Sequence, residues 1–331
     1  MLKELCELNG TSGNEDAVRE YIIKNIGNAE YKVDNLGSVI VKVGSNDRRI
    51  SINAHTDEVG FIVTGITAEG YLRFSTVGGI DPRVCLDRTV VTEKGIKGVI
   101  GDKAFHLLSP DERTKCPKFD ELLIDIGAEN EEQAKAAVSL GDFVYFDSDY
   151  IEFGDGFIKA KALDDRIGCM LMLELINEGF EGTYCFNVQE EVGLRGSKCT
   201  AESVNADIAV VLESTTAADL DGVTGADRVC VLGEGPVISF MDNRTIYDRE
   251  LYKLAMDTAK ELGIKAQTKT AVAGGNDAGS IQTASGGTRV LAISLPTRYI
   301  HSGASVVKKS DIEATKILIK GLLPKLYDIK N

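Results

Sequence analysis

Tryptophan is absent from these 331 residues, and aromatic side chains make up only 6% of the chain. Sugar-binding sites lean on aromatic platforms, so a carbohydrate substrate is disfavoured from the start. No run of 18 apolar residues occurs, which excludes a membrane-spanning helix and a membrane partner. The opening MLKELCELNG lacks the long apolar core of a secretory signal, so a cytoplasmic protein is expected. Positive charge is also scarce: 37 Lys and Arg stand against 51 Asp and Glu, a net charge of −14. Nucleic-acid affinity comes mostly from Lys and Arg, so no nucleic-acid partner is expected. Seven cysteines are scattered, odd in number and never in CxxC spacing. That pattern suits buried free thiols in a reducing compartment, neither a disulfide framework nor a thiolate metal site.

What is present is an ordinary globular composition, 43% hydrophobic and 27% charged, long enough for one or two domains. TSGNEDAVREYIIKNI, residues 11–26, predicts a helix capped by Ser12 or Asn14. Strand-like runs follow in SVIVKVG and RISINAHTDEVGFIVTGI. Between about residues 64 and 157 the texture changes to short β-rich stretches punctuated by Gly and Asp, with one brief helix near NEEQAKAAV. Such a segment is too long for a connection and predicts a small β-barrel or sandwich inserted into the main domain. After it, strands and helices alternate: DDRIGCMLMLELINEG as helix, then TYCFNVQ, DIAVVLE, a helix at YDRELYKLAMDTAKELG, VLAISLP and a terminal helix from about Ser310. Alternation of this kind predicts an α/β sheet covered on both faces. The catalytic body is therefore expected over 1–63 and 158–331, and the inserted module over 64–157.

The rare residue types collect at strand ends. Of three histidines, His55 closes the strand in INAHTDEVGF, with Asp57 in H-x-D spacing, and His301 follows another strand in LPTRYIHSG. His106, in DKAFHLLSP, reads as a surface or structural residue. Glu190 and Glu191 close TYCFNVQ, Glu213 closes DIAVVLE, and Asp164 and Asp165 precede a helix in KALDDRIG. In a chain with 51 acidic residues, adjacent acids arise repeatedly by chance, so no single pair is telling. Convergence is telling: in open α/β sheets the carboxyl edge of the strands is where ligands bind.

Several carboxylates brought together repel and raise one another's pKa, a cost that divalent cations remove. Imidazole with carboxylate oxygen suits zinc, cobalt or manganese. A ligating histidine needs its second ring nitrogen oriented, a task Asp57 could perform for His55. Two metals about 3.5–4 Å apart can hold a water between them and lower its pKa, and a free carboxylate beside them can take its proton. One glutamate of the 190–191 pair would then bind metal and its neighbour act as base. Successive strand side chains point to opposite faces, so both reach one site only if the strand breaks into a turn there. Gly193 and Gly196 are consistent with such a break.

In AHTDEVGF, GGIDPRV, GVIGDKAFHLL, LLIDIGA, KALDDRIG, QEEVGLRG and RYIHS, in that order, the sequence resembles the cocatalytic two-metal aminopeptidases of the glutamyl or deblocking type, some of which are labelled endoglucanases. The resemblance spans essentially the whole chain. It implies a three-layer α/β/α peptidase domain with an inserted β-barrel dimerisation domain, and assembly into dimers and tetrahedral dodecamers. It implies two divalent ions per subunit held by His55, Asp164, Glu191, Glu213 and His301, with Asp164 bridging. Glu190 would be the general base, Asp57 the partner of His55, and the Asp164–Asp165 peptide cis. The implied activity is release of N-terminal residues from short peptides by a metal-held hydroxide, the free α-amine meeting Glu213 and its ion. Two positions depart from the family pattern: Glu213 stands where Asp is usual, and Asn276 in GGNDAGS where Thr is usual. A related two-metal amidohydrolase or deacylase is the alternative activity. A glycoside hydrolase fits less well, because adjacent glutamates are poorly placed to flank one glycosidic bond, and a binding protein without activity would not need an intact ligand set.

Overall fold

The computed structural model describes residues 1–45 and 49–329. Runs such as IAVVL and VLAI are apolar at every position, and strands of that kind must be covered on both faces. They form the middle of an eight-stranded sheet ordered Glu30–Val33, Val39–Val43, Gly182–Asn187, Ile50–His55, Ile208–Thr216, Arg289–Thr297, Val237–Ile238, Gln267–Thr268. The four strands from Gly182–Asn187 to Arg289–Thr297 run parallel, so their carboxyl ends share one edge. Pairing sets Asn187 beside His55 and Glu213 beside Ser294.

Period-two alternation divides each central strand between two cores. Ile208, Val210 and Leu212 pack with residues of the helices Leu163–Asn177, Arg249–Glu261 and Lys309–Tyr327. Ala209 and Val211 meet Tyr247, Ala278 and Ile281 on the other side, where the helix Arg195–Val204 also lies. The expected three-layer α/β/α order is what the chain adopts. A short three-stranded sheet, Ile151–Phe153, Phe157–Ala160 and Ser305–Lys308, flanks it.

Six further strands, all between Gly60 and Phe146, close into a barrel. Its core is apolar and mainly aliphatic around an aromatic cluster in which Phe61 meets Phe74 and Phe146 edge-on, each at 5.1 Å between ring centres. The sequence boundary at 63/64 falls inside the barrel strand Gly60–Ile66, and that at 157/158 inside Phe157–Ala160. The strand Ile151–Phe153 pairs with Phe157–Ala160, outside the barrel.

The N-terminal segment departs from expectation. Leu2–Glu7 is a helix that the sequence pattern does not announce, and the next helix is Asp16–Asn25, with Glu15 at its cap position and no side-chain cap. Ser12 and Asn14 do not cap it because both side chains are engaged elsewhere: Ser12 donates to Asp57, and Asn14 donates to Tyr145 and Glu93 of the barrel. All seven cysteines are free thiols, but only five are buried; Cys116 and Cys199 are exposed. No helix among the described residues is long and apolar enough to cross a membrane.

Candidate active site

Two imidazoles and three carboxylates, far apart in sequence, meet at the carboxyl edge of the parallel strands. His55 is the last residue of its strand, and its Nε2 lies 3.2 Å from Asp164 Oδ1 and 3.4 Å from Glu213 Oε1. His301 Nε2 lies 3.4 Å from Asp164 Oδ2 and 3.3 Å from Glu191 Oε2. Asp164 thus belongs to two donor groups, one oxygen in each: His55–Asp164–Glu213 and Asp164–Glu191–His301, with donor atoms within 4.8 Å of one another. The chain reaches Asp164 through Ala162 in a left-handed conformation, and the Asp164–Asp165 peptide is cis. Asp165 turns away, its Oδ1 accepting the Gly168 N–H at 3.1 Å as a cap for the helix that follows.

The ring orientations carry chemical information. His301 Nδ1 faces the Gly79 carbonyl at 2.8 Å, and His55 Nδ1 faces the Asp57 carbonyl at 3.1 Å. A carbonyl only accepts, so each Nδ1 bears a hydrogen and each Nε2 is aimed at carboxylate oxygens; with a metal ion bound, each ring would be neutral and would present its Nε2 lone pair. Acceptors held that close need a cation between them, either a proton or a metal ion. Nitrogen and hard oxygen donors, with no thiolate among them, fit a divalent ion of the zinc, cobalt or manganese kind.

Asp57 is the hub behind this cluster. Buried, it sits 3.4 Å from His55 Nδ1 and accepts the Ser12 hydroxyl at 2.6 Å. It also accepts the backbone N–H of Glu190 at 2.9 Å and of Glu191 at 3.1 Å. Burial opposes its charge, but these donors hold its pKa below the ordinary carboxylate value. The His55–Asp57 pairing therefore exists, with the Asp57 carbonyl nearer the ring than the carboxylate. The strand break that lets two adjacent glutamates face one site lies at Gln189, left-handed at φ +56°, ahead of Gly193 at φ +117°. Gly196 serves a different purpose: a Cβ there would stand 2.3 Å from the Val188 carbonyl oxygen, so the helix start can press on the strand end only without one.

Crowding shows in the titration of the cluster. Burial, then Asp164, pushes Glu191 up to about 7 and Glu213 up to about 8. Burial works against a charged His301, but Asp164 and Glu191 outweigh it and lift the ring to about 9. At these three groups the metal-free folded state then binds more protons than the unfolded one from about pH 4.5 to about pH 9. Their contribution to stability falls as pH rises through that window, since both the raised acids and the raised histidine lose protons they hold more tightly when folded. Thermal denaturation of the chelated protein is expected to give a Tm that declines from about pH 5 to about pH 9; a Tm rising over that range would contradict the clustering.

His55, Asp164, Glu190, Glu191, Glu213 and His301 all line one cavity of about 490 Å³. Asn276 lines it too and is held by the Tyr247 hydroxyl and the Ala278 N–H. His106 takes no part and lies exposed on the barrel side of the chain. Sequence reasoning missed Arg244 and Lys269, cations on the cavity wall, because nothing in DNRT or QTKT marks either as a site residue.

Residues 37–318 match the family model of the M42 glutamyl aminopeptidases. The chain is 33% identical to the glutamyl aminopeptidase of Lactococcus lactis, covering all of this chain and 98% of that one. It superposes on the TET aminopeptidase of a marine-sediment thaumarchaeon with a TM-score of 0.92 at 36% identity, covering 98% of this chain and 95% of the other. The Pyrococcus horikoshii TET1 peptidase, which can assemble into a tetrahedron or a large octahedral shell, matches with a TM-score of 0.85 at 37% identity, over 97% of this chain and 98% of that chain.

Proposed function

As a member of the M42 glutamyl aminopeptidase family the chain is an aminopeptidase, and we propose that it releases N-terminal residues from short peptides with two divalent cations held by His55, Asp164, Glu191, Glu213 and His301. The observation that carries this reading is the shared Asp164, one oxygen in each of two donor groups, one buried and the other half-buried. Bound there, zinc, cobalt or manganese ions would polarise the scissile carbonyl and acidify a water.

The chain's own residues do the rest. Glu190, beside the cluster but in neither donor group, takes a proton from the attacking water and delivers it to the leaving amine. Asp57 fixes the His55 ring on one side and the backbone of both glutamates on the other. Glu213, buried on the cavity wall, offers its carboxylate to the free α-amine and so restricts attack to chain ends. Its longer arm, where Asp is usual, sets how far that amine stands from the shared Asp164. The barrel, drawn from sequence as a module at 64–157, is proposed to carry subunit contacts within a homo-oligomer. The shells of the Pyrococcus horikoshii relative support that view.

Chelation tests the reading. Stripped protein is expected to lose activity on aminoacyl p-nitroanilides and to regain it with Co²⁺, Zn²⁺ or Mn²⁺, while N-acetylated peptides stay uncut. Over Glu, Asp, Leu and Lys substrates the acidic pair is expected to lead, because Arg244 and Lys269 line the cavity. Full activity after chelation would overturn the metal assignment, and equal cleavage of acetylated peptides would point to the deacylase alternative.

A further inference from the structure

The loop Gly10–Glu15, whose sequence suggests a helix start, instead reaches the turn that carries the two glutamates. At the left-handed Gln189, three successive backbone N–H groups, those of Gln189, Glu190 and Glu191, each meet a carboxylate oxygen, as in the concave main-chain turns that bind anions. Two buried carboxylates fill it. Glu15 Oε1 accepts from Gln189 N–H at 3.1 Å, Asp57 Oδ1 from Glu190 N–H at 2.9 Å and Asp57 Oδ2 from Glu191 N–H at 3.1 Å. Ser12 donates to that same Asp57 Oδ2 at 2.6 Å, fixing the rotation of the carboxylate. Gly13, at φ +94°, lets the loop bend so that Ser12 and Glu15 both reach the turn.

The loop is itself anchored on both sides. Gly10 N–H donates to Glu58 Oε1 at 3.0 Å, and Glu58 in turn accepts from the buried Lys161 at 2.6 Å. Asn14 Nδ2 donates to the Tyr145 hydroxyl of the barrel at 2.8 Å. The loop that carries Ser12 and Glu15 is thus held through Gly10 by Glu58 and through Asn14 by Tyr145 of the barrel, while Ser12 and Glu15 reach toward the turn.

We propose that Ser12 and Glu15 are positioning residues, which with Asp57 capture the N–H groups of Gln189, Glu190 and Glu191 and fix where the base and its neighbouring metal ligand stand. Glu190 and Glu191 lie outside the strand ladder, at a chain reversal whose carbonyls are held by Gly193, Leu194 and Arg195 N–H groups and whose N–H groups are held by these carboxylates. The catalytic consequence rests on the roles proposed above for Glu190 and Glu191; the grip itself does not.

Amide hydrogen exchange on the metal-free protein reads the grip, and steady-state kinetics of the reconstituted enzyme reads its consequence. Ser12→Ala is expected to speed exchange at Glu190 and Glu191 about tenfold, and Glu15→Ala at Gln189, with the central strands unchanged. Each substitution is expected to lower kcat about 10–100-fold with KM within about twofold, as loss of a ligand-orienting partner does. Glu15→Gln keeps an acceptor oxygen and is expected to restore both readouts. Exchange that stays slow at the turn, or that rises equally across the sheet, would overturn the proposal, as would accelerated exchange with unchanged kcat. A fully active Glu190→Gln enzyme would instead remove the role of the base while leaving the exchange result standing.

Discussion

Replacing Glu190 with glutamine is expected to lower kcat about 10²–10⁴-fold, the contribution of a positioned general base, or about 2.7–5.5 kcal/mol of barrier. The amide preserves size and shape but cannot take up a proton. Glu190 belongs to neither donor group, so metal content and Tm are expected to stay at wild-type values. In the metal-free chain burial lifts its pKa well above the ordinary value, and Glu213, Asp277 and Glu191 add to that, although His55 opposes them. Cations bound among the neighbouring acids would screen the repulsion and bring the group toward a value at which it can both accept and return a proton. The measurement is kcat and KM on an aminoacyl anilide beside metal analysis of the same sample. Wild-type turnover in a fully metallated Glu190→Gln enzyme would remove Glu190 from the reaction.

Much of this site is legible in the sequence because chemistry-bearing residues are rare and fall where strands end. With three histidines in the chain, two of them after apolar strands, His55 and His301 stand out by position alone. The sheet is legible for a related reason: continuous apolar runs such as IAVVL admit burial on two faces and little else. The N-terminal loop is not. SGNED carries the signature of a helix cap, and propensity weighs only local partners, whereas Ser12 finds Asp57 forty-five residues away and Glu15 finds Gln189 across the fold. The two glycines after the paired glutamates suggest a break beside them, yet the chain turns at Gln189, a residue with no intrinsic bias to φ > 0. That conformation comes from tertiary hydrogen bonds, which a linear pattern does not encode. Module edges slip for a similar reason: Phe157–Ala160 reads like the β-rich segment that precedes it, but its partner Ser305–Lys308 lies far downstream.

Asp164→Asn is expected to remove both metal ions together and to cost roughly 10³-fold or more in activity, in line with the several kcal/mol that metal-assisted charge stabilisation supplies. Each oxygen of Asp164 serves a different histidine, Oδ1 toward His55 and Oδ2 toward His301. An amide has one carbonyl oxygen, and its NH₂ would confront whichever cation the other oxygen served. Losing one negative charge also weakens both groups at once. The neighbouring acid supplies the contrast. Asp165 is buried, burial and the nearby Glu213 push its pKa well above the usual range, and its Oδ1 serves the Gly168 N–H. Asp165→Asn keeps an acceptor for that cap and removes a charge the folded chain holds poorly, so it is expected to retain both ions. Metal stoichiometry by elemental analysis, run on both variants, separates a shared ligand from a merely acidic surrounding. Two ions retained by Asp164→Asn, with turnover intact, would sink the shared-ligand assignment, and so would equal metal loss in both variants.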